Sequence, residues 1–250
     1  MNNKIAIIGM GHVGKALKQG LLSSGWKQKQ LLTSNSAAEN KKIAEQADWI
    51  ILAVKPNKIA EVVKQIALKK EKVLFSVAIA VTTSHLKKLT TGEQKIIRMM
   101  PNLSIAYRQG VIGCFFREEI SQTEKKKIQH FLQRLGKVIE VSEEKDLDAF
   151  SVLVGSGPAV VAYCIEMCIQ AGQNLNLSKK TAQQIALQTF AGTVLYLQKT
   201  KQSAVELQAA VATKGGITEE IITMLDQQKV SDRFMQSLLR GYDKIKEMRI

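Results

Sequence analysis

Over the first 142 residues, short apolar runs rich in β-branched side chains alternate with amphipathic stretches. The runs cover residues 4–8, 30–33, 49–54, 73–77, 95–100, 111–116 and 137–141. Runs that are apolar on both faces and separated by helical pattern predict a mostly parallel sheet covered on both sides by helices. The last helix of this half is expected to open on a capping box at Ser121 and Glu124 and to stop at Gly136. From about Asp146 the strand pattern disappears. Helical periodicity occupies 146–167, 178–197, 203–211 and 231–248, with Ser178, Ser203 and Ser231 as expected N-caps and a second capping box at Ser203 and Glu206. The chain therefore divides into an α/β half, residues 1–145, and an all-helical half, residues 146–250. There is no internal repeat and no low-complexity linker.

The first run leads directly into Gly9, Met10, Gly11, His12, Val13 and Gly14, and then a helix through Leu22 that ends at Gly25. In a strand–turn–helix context the first glycine permits a tight turn. The second lets backbone approach a pyrophosphate, and the third lets helix pack on strand. The helix start supplies amide donors and a positive dipole end for phosphate. This is a Rossmann-type dinucleotide unit. Sites selective for NAD usually place an acid at the end of the second strand, but here that stretch reads Thr33, Ser34, Asn35 and Ser36. Hydroxyl and amide groups there suit a 2′-phosphate, so NADP(H) is the expected cofactor, with NAD(H) as the alternative. The interval from Ser36 to Asp48 is short by about one helix and one strand, which predicts a shortened sheet edge.

Charge changes this picture only slightly. The formal net charge is +14, but the lysines fall in short groups such as Lys69-Lys70, Lys87-Lys88 and Lys125-Lys126-Lys127, as exposed helix faces carry them. With aromatic residues at 5%, a stacking platform for single-stranded nucleic acid is not expected. The expected partner is a small anionic molecule drawn by the positive field. Cys114, Cys164 and Cys168 form no CxxC pair and no metal set, and Cys164 and Cys168 share one helix face as expected packing residues. The start of the chain has no leader pattern, and no apolar run reaches the ~18 residues of a membrane span. A cytoplasmic protein that binds no membrane and no metal is expected.

The ordered motifs carry a further implication. Gly9-Met10-Gly11-His12-Val13-Gly14 is followed by Leu52-Ala53-Val54-Lys55-Pro56, Ser76-Val77-Ala78 and Arg98-Met99-Met100-Pro101-Asn102. Then come Gly155-Ser156-Gly157-Pro158-Ala159, Gln188-Thr189, and Gly215-Gly216 with Thr218. In this order the chain resembles the pyrroline-5-carboxylate reductases along nearly its whole length. The resemblance implies a Rossmann domain followed by a helical dimerisation domain, in a homodimer or larger homo-oligomer. It also implies NAD(P)H-dependent reduction of a cyclic imine to proline. Val54, Lys55 and Pro56 would lie along the nicotinamide side, Ala78 and Asn102 would flank the nicotinamide, and Asn40 would lie near the adenosine ribose. The segment Thr213, Lys214, Gly215, Gly216, Ile217 and Thr218 would cradle the substrate carboxylate, with the Thr218 hydroxyl beside the ring nitrogen. The protonated imine is already a strong electrophile, so positioning dominates and no strong base is required.

The sequence departs from that family's pattern in places. The Thr-Pro expected after Asn102 is Leu103-Ser104, Ala-Ala-Gly is Ala78-Ile79-Ala80, and Ser-Pro-Gly-Gly-Thr-Thr is 213–218 as written above. These changes keep two other readings in view: a diverged, nucleotide-binding relative that works as a regulatory or interaction protein without turnover, or a reductase of another small cyclic imine acid. For Gly215-Gly216 the plain alternative is an interhelical turn, for Thr218 a helix cap, and for Pro158 a helix start or kink.

Overall fold

All seven apolar runs form strands of one sheet in the computed structural model, which describes residues 3–66, 68–90 and 94–249. They are β1 (Ile5–Ile8), β2 (Leu31–Ser34), β3 (Trp49–Leu52), β4 (Val73–Ser76), β5 (Lys95–Pro101), β6 (Gly110–Phe116) and β7 (Gly136–Glu140). The spatial order is β2-β1-β3-β4-β5-β6-β7. Neighbours are parallel except β5 and β6. From β1 the chain goes to β2 on one side, then crosses to β3 on the other through α2 (Ala37–Gln46). The strand order thus reverses at β1, and β2 is left as the shortened edge. A reversal of this kind opens a crevice at the carboxyl ends of the strands.

Both faces of the sheet are covered, as continuous apolar strands require. On one face α1 (His12–Ser23) and α5 (Gln122–Leu132) close over Trp26, Trp49, Phe75 and Phe131. The ring of Phe131 meets Trp49 edge-on at 4.8 Å and Trp26 at 5.7 Å. On the other face α2, α3 (Ile59–Gln65) and α4 (Thr83–Leu89) bury Ile50, Leu74 and Ile96. The last carbonyls of α2 are held by buried Lys72, whose ammonium donates to the backbone oxygens of Ala44, Glu45 and Ala47 at 2.8, 2.9 and 2.6 Å. A cation at a helix carboxyl end satisfies groups the helix itself cannot. Burial nonetheless pulls the Lys72 pKa below its ordinary value.

The helical pattern after Asp146 is longer and more broken than its periodicity suggests. The elements are α6 (Asp146–Phe150), a π turn at Ser151–Gly155, α7 (Gly157–Asn174), α8 (Lys179–Thr200), α9 (Ala204–Val211), α10 (Ile217–Gln227) and α11 (Val230–Glu247). The π turn precedes Pro158, whose ring and missing N–H cannot follow a regular α turn. Ser156 N–H instead reaches back to Ser151 O at 3.1 Å. Ser178 and Ser203 cap as expected, Ser203 in a full capping box. Ser231 does not: α11 begins one residue earlier, after Lys229 at φ 54°. Gly136 stops no helix either, because α5 ends at Leu132 and Gly136, at φ 151°, opens β7.

By contacts the chain forms two compact units, Met1–Pro158 with Gly241–Ile250, and Ala159–Arg240. The end of the chain joins the sheet unit through Asp148, 1% exposed. Its Oδ1 accepts from Arg98 Nη2 at 3.2 Å and its Oδ2 from Arg249 Nε at 3.0 Å.

The second unit has little core. Among its described hydrophobic residues, those buried are Ile169, Ala182 and Ala186. Tyr163, Leu175, Ile185, Leu195, Ile221 and Phe234 are all exposed. Cys164 is half-buried and Cys168 exposed, so the packing expected of them is not made within this chain. Cys114 is buried, which pushes its thiol up to about 12. The helical stretch Asp146–Asn174, the π turn included, contains an 18-residue window of mean hydropathy 1.8. That corrects the expectation that no stretch is long and apolar enough to span a bilayer. The window is 11% buried, and an apolar surface of this kind equally suits association with like helices. Light scattering at low micromolar concentration is expected to give the mass of at least two chains, and a monomer mass would refute association through these helices.

Candidate functional site

At the carboxyl end of β1 the three glycines of the turn have different surroundings. Gly9 has φ 98°, and a Cβ there would lie 2.6 Å from Ala53 O. A Cβ on Gly14 would lie 2.0 Å from Gly9 O. Gly11, the N-cap of α1, would meet nothing within 4 Å. The turn is closed at its first and third glycines and open at its second, the shape a backbone needs to receive a bulky anion. The first turn of α1 has no acidic residue and its cap makes no side-chain hydrogen bond. The helix therefore presents free amides and the positive end of its dipole there. His12 opens the helix exposed to solvent, while Met10 and Val13 lean on the core.

Beside Gly9 lies a cavity of about 300 Å³, lined in part by Asn35, Asn40, Val54, Lys58 and Gln65. Asn35 Oδ1 accepts the Met10 N–H at 2.5 Å and so ties the end of β2 to the glycine turn. Asn40, 4% exposed, donates its Nδ2–H to Gln65 Oε1 at 2.8 Å. Its Oδ1 is buried without a partner among the described residues. A buried acceptor without a donor costs free energy. Lys58 pairs with Glu61 at 2.8 Å, and the hydrogen bond holds the lysine above and the glutamate below their ordinary pKa values.

The end of β2 is less free of acid than its sequence implies. Ser36 caps α2, and Glu39, in the first turn, places Oε2 3.2 Å from Ser36 Oγ and 3.4 Å from Ser34 Oγ. The hydroxyls expected to suit a 2′-phosphate thus share a carboxylate. The spacing Ser36-x-x-Glu39 is itself a capping-box signature, so this signal was present in the chain.

The remaining residues of this half lie at neighbouring strand ends. Val54, Lys55 and Pro56 follow β3, with Lys55 exposed at the N-cap of the 3-10 turn Pro56–Lys58. Ala78 follows β4, is buried, and donates its N–H to Ser76 Oγ at 3.3 Å. Asn102 follows β5 and pins it to β6: its N–H donates to Val111 O and its Oδ1 accepts the Val111 N–H, both at 3.2 Å. Ala80, where the family pattern has glycine, is buried at φ 61°, a conformation that strains any residue with a Cβ.

In the helical unit, Thr213, Lys214, Gly215 and Gly216 join α9 to α10. Gly215 has φ 74°. Gly216 is the N-cap of α10 and donates its N–H to Thr213 O at 2.9 Å. Ile217 is exposed and Thr218, half-buried, is the second residue of the helix. The capping position therefore belongs to Gly216 and not to Thr218. Glu219, which no motif singles out, accepts the Gly215 N–H at 2.6 Å through Oε2.

Residues 144–248 match the family described as pyrroline-5-carboxylate reductase dimerisation. Residues 4–80 match the family described as NADP oxidoreductase coenzyme F420-dependent. The pyrroline-5-carboxylate reductase of Aquifex aeolicus is 29% identical over 259 residues, covering 98% of this chain and 97% of its own. The Plasmodium falciparum pyrroline carboxylate reductase structure with NADP bound superposes with a TM-score of 0.88 at 27% identity, covering 99% and 98% of the two chains. A pyrroline-5-carboxylate reductase structure from Coxiella burnetii gives 0.86 at 28%, with full coverage of both.

The geometry of the glycine turn separates two substitutions. Gly14→Ala forces a Cβ into the Gly9 carbonyl and should cost about 3 kcal/mol or more of stability. Gly11→Ala should stay within about 1 kcal/mol of the parent while weakening dinucleotide binding. Thermal melts with a fluorescence titration check both, and equal melting temperatures for the two variants would contradict the packing.

Proposed function

The chain belongs to the pyrroline-5-carboxylate reductase family, and on that premise we propose that it reduces the cyclic imine pyrroline-5-carboxylate to proline with NADP(H), a step of proline biosynthesis. The observation that carries the cofactor reading is the glycine turn, closed at Gly9 and Gly14 and open at Gly11 beside a 300 Å³ cavity. Asn40 lines the same cavity, and a side-chain amide is a group that a ribose hydroxyl can bond. A bound nicotinamide supplies the hydride.

The chain's own residues hold and orient. Amides of the first turn of α1 receive the pyrophosphate, with Met10 and His12 on either side of open Gly11. Ser34 and Asn35 stand at the adenosine end with Asn40. Val54, Lys55 and Pro56, with Ala78 and Asn102, form the nicotinamide end, since each follows the carboxyl end of β3, β4 or β5. Thr213, Gly215, Gly216 and Ile217 offer backbone amides to the substrate carboxylate. Thr218 places its hydroxyl beside the ring nitrogen and accepts the iminium proton as a hydrogen bond. The electrophile is activated by its own protonation, so the protein contributes orientation and exclusion of water. Residues 1–145 serve the cofactor, and residues 146–250 form the dimerisation domain of a cytoplasmic homodimer.

Oxidation of NADPH by the purified protein with pyrroline-5-carboxylate, followed at the nicotinamide absorbance, tests the activity, and no turnover would overturn it. NADPH is expected to bind more tightly than NADH. The Glu39 carboxylate opposes a 2′-phosphate at an exposed site, where one charge interaction is worth about 0.2–1 kcal/mol. Glu39→Gln should therefore tighten NADPH binding by up to about fivefold and leave NADH unchanged. An equal effect on both cofactors would remove Glu39 from the 2′-phosphate site. Thr218→Val deletes one hydrogen bond to a partly charged nitrogen and should lower kcat/KM by about ten- to a hundredfold, with cofactor binding and melting temperature unchanged. An earlier melt at unchanged turnover would make Thr218 a structural residue only.

A further inference from the structure

The loop before α10 already binds a carboxylate, and that carboxylate is its own. In an ordinary capping box the acid at the third helical position reaches back to the N-cap amide. The N-cap here is Gly216, and its N–H is taken by Thr213 O at 2.9 Å. Glu219, at the third position of α10, reaches one residue further and takes the Gly215 N–H at 2.6 Å. Gly215 can turn its amide this way because it sits at φ 74° with nothing within 4 Å of its missing Cβ. Both partners are exposed, so the contact can be broken and remade without unpacking a core.

We propose that Glu219 is a specificity-determining residue that competes with the substrate for the carboxylate-binding loop. The proposal rests on the reading that residues 213–218 hold the substrate carboxylate. A carboxylate ligand must first displace Glu219 from Gly215, and the displaced side chain then adds a like charge beside the bound anion. Both effects weaken binding of carboxylate substrates and products. The bare loop would bind them more tightly. The neighbouring Glu220 lies on the same turn and is exposed. Its backbone N–H donates to Gly216 O at 3.3 Å, but among the described residues the side-chain bond to a loop amide is made by Glu219, so Glu220 isolates the general effect of negative charge from the specific contact.

The test uses the full chain with saturating NADPH and three variants, Glu219→Gln, Glu220→Gln and Thr218→Val. Two quantities are measured: KM for pyrroline-5-carboxylate, and the affinity for proline by calorimetry with the oxidised cofactor present. For Glu219→Gln the expected result is a fall in KM of about three- to tenfold, with a matching gain in proline affinity. Its kcat should be unchanged, and Glu220→Gln should show no effect. An unchanged or raised KM in Glu219→Gln, while Thr218→Val still impairs turnover, overturns this proposal and leaves Glu219 as a cap of α10. If Thr218→Val and Glu219→Gln both leave KM, kcat and proline binding unaltered, the loop reading itself fails. An equal fall in KM for Glu220→Gln also overturns the proposal, because the effect is then one of net charge alone.

Discussion

At the end of β1 the carbonyl of Gly9 lies so close to Gly14 that a Cβ would stand 2.0 Å from it. That contact presses the start of α1 against the strand end and sets the direction of the helix. The first-turn amides then face outward at the place where β2 and β3 diverge on either side of β1. The order reversal supplies the crevice, and the helix supplies the donors. The donors would not be in place if α1 stood one side-chain diameter further from β1. The aromatic cluster of Trp26, Trp49, Phe75 and Phe131 lies beneath the same helix and under α5, so the packing of the core and the geometry of the turn are one constraint.

The sheet unit contains a second constraint, made of charge. Arg98 is 2% exposed and lies between Glu144 and Asp148, at 3.4 and 3.2 Å, while its Nε has no partner among the described residues. Glu144 also accepts from the Thr83 amide and hydroxyl, both at 2.7 Å. Asp148 accepts from Arg249 near the end of the chain. Such a cluster returns little net stability, because desolvation offsets the attraction. It is directional, however, and removing one member leaves a buried charge at a cost of about 3–5 kcal/mol. Its effect is to fasten α6, the start of α4 and the residues after α11 to β5.

Both anion-receiving places read from the sequence hold a glutamate of the chain. Glu39 lies on the serines at the end of β2, and Glu219 lies on the loop before α10. Each sits at the third position of a helix, where an acid stabilises the dipole and can satisfy a free amide. Helix starts attract external anions for that same reason. The chain therefore uses one physical preference twice over, and the local cap and the ligand ask for the same donors.

The strands, the glycine turn and the order of an α/β part before a helical part were legible in the sequence. Apolar runs buried on both faces have few alternatives to a covered parallel sheet, and Gly9, Gly11 and Gly14 are local in sequence as well as in space. Caps at Ser178 and Ser203 were legible because a hydroxyl and an amide three residues on are neighbours in any helix. Helix α10 was missed although Ile217, Ile221, Met224 and Leu225 recur at helical spacing, and Ser231 misled because Lys229 had already turned the chain into α11. The partners of Arg98 lie 46 and 50 residues away, and Arg249 is 101 residues from Asp148. Nothing in their spacing announces them, because only the folded sheet brings β5, α6 and the end of the chain together. The sequence by itself determined the backbone conformations and the local hydrogen bonds. The tertiary structure alone decided which amides remain free for a ligand and which the chain's own carboxylates take, since that depends on where a side chain reaches once its helix is in place.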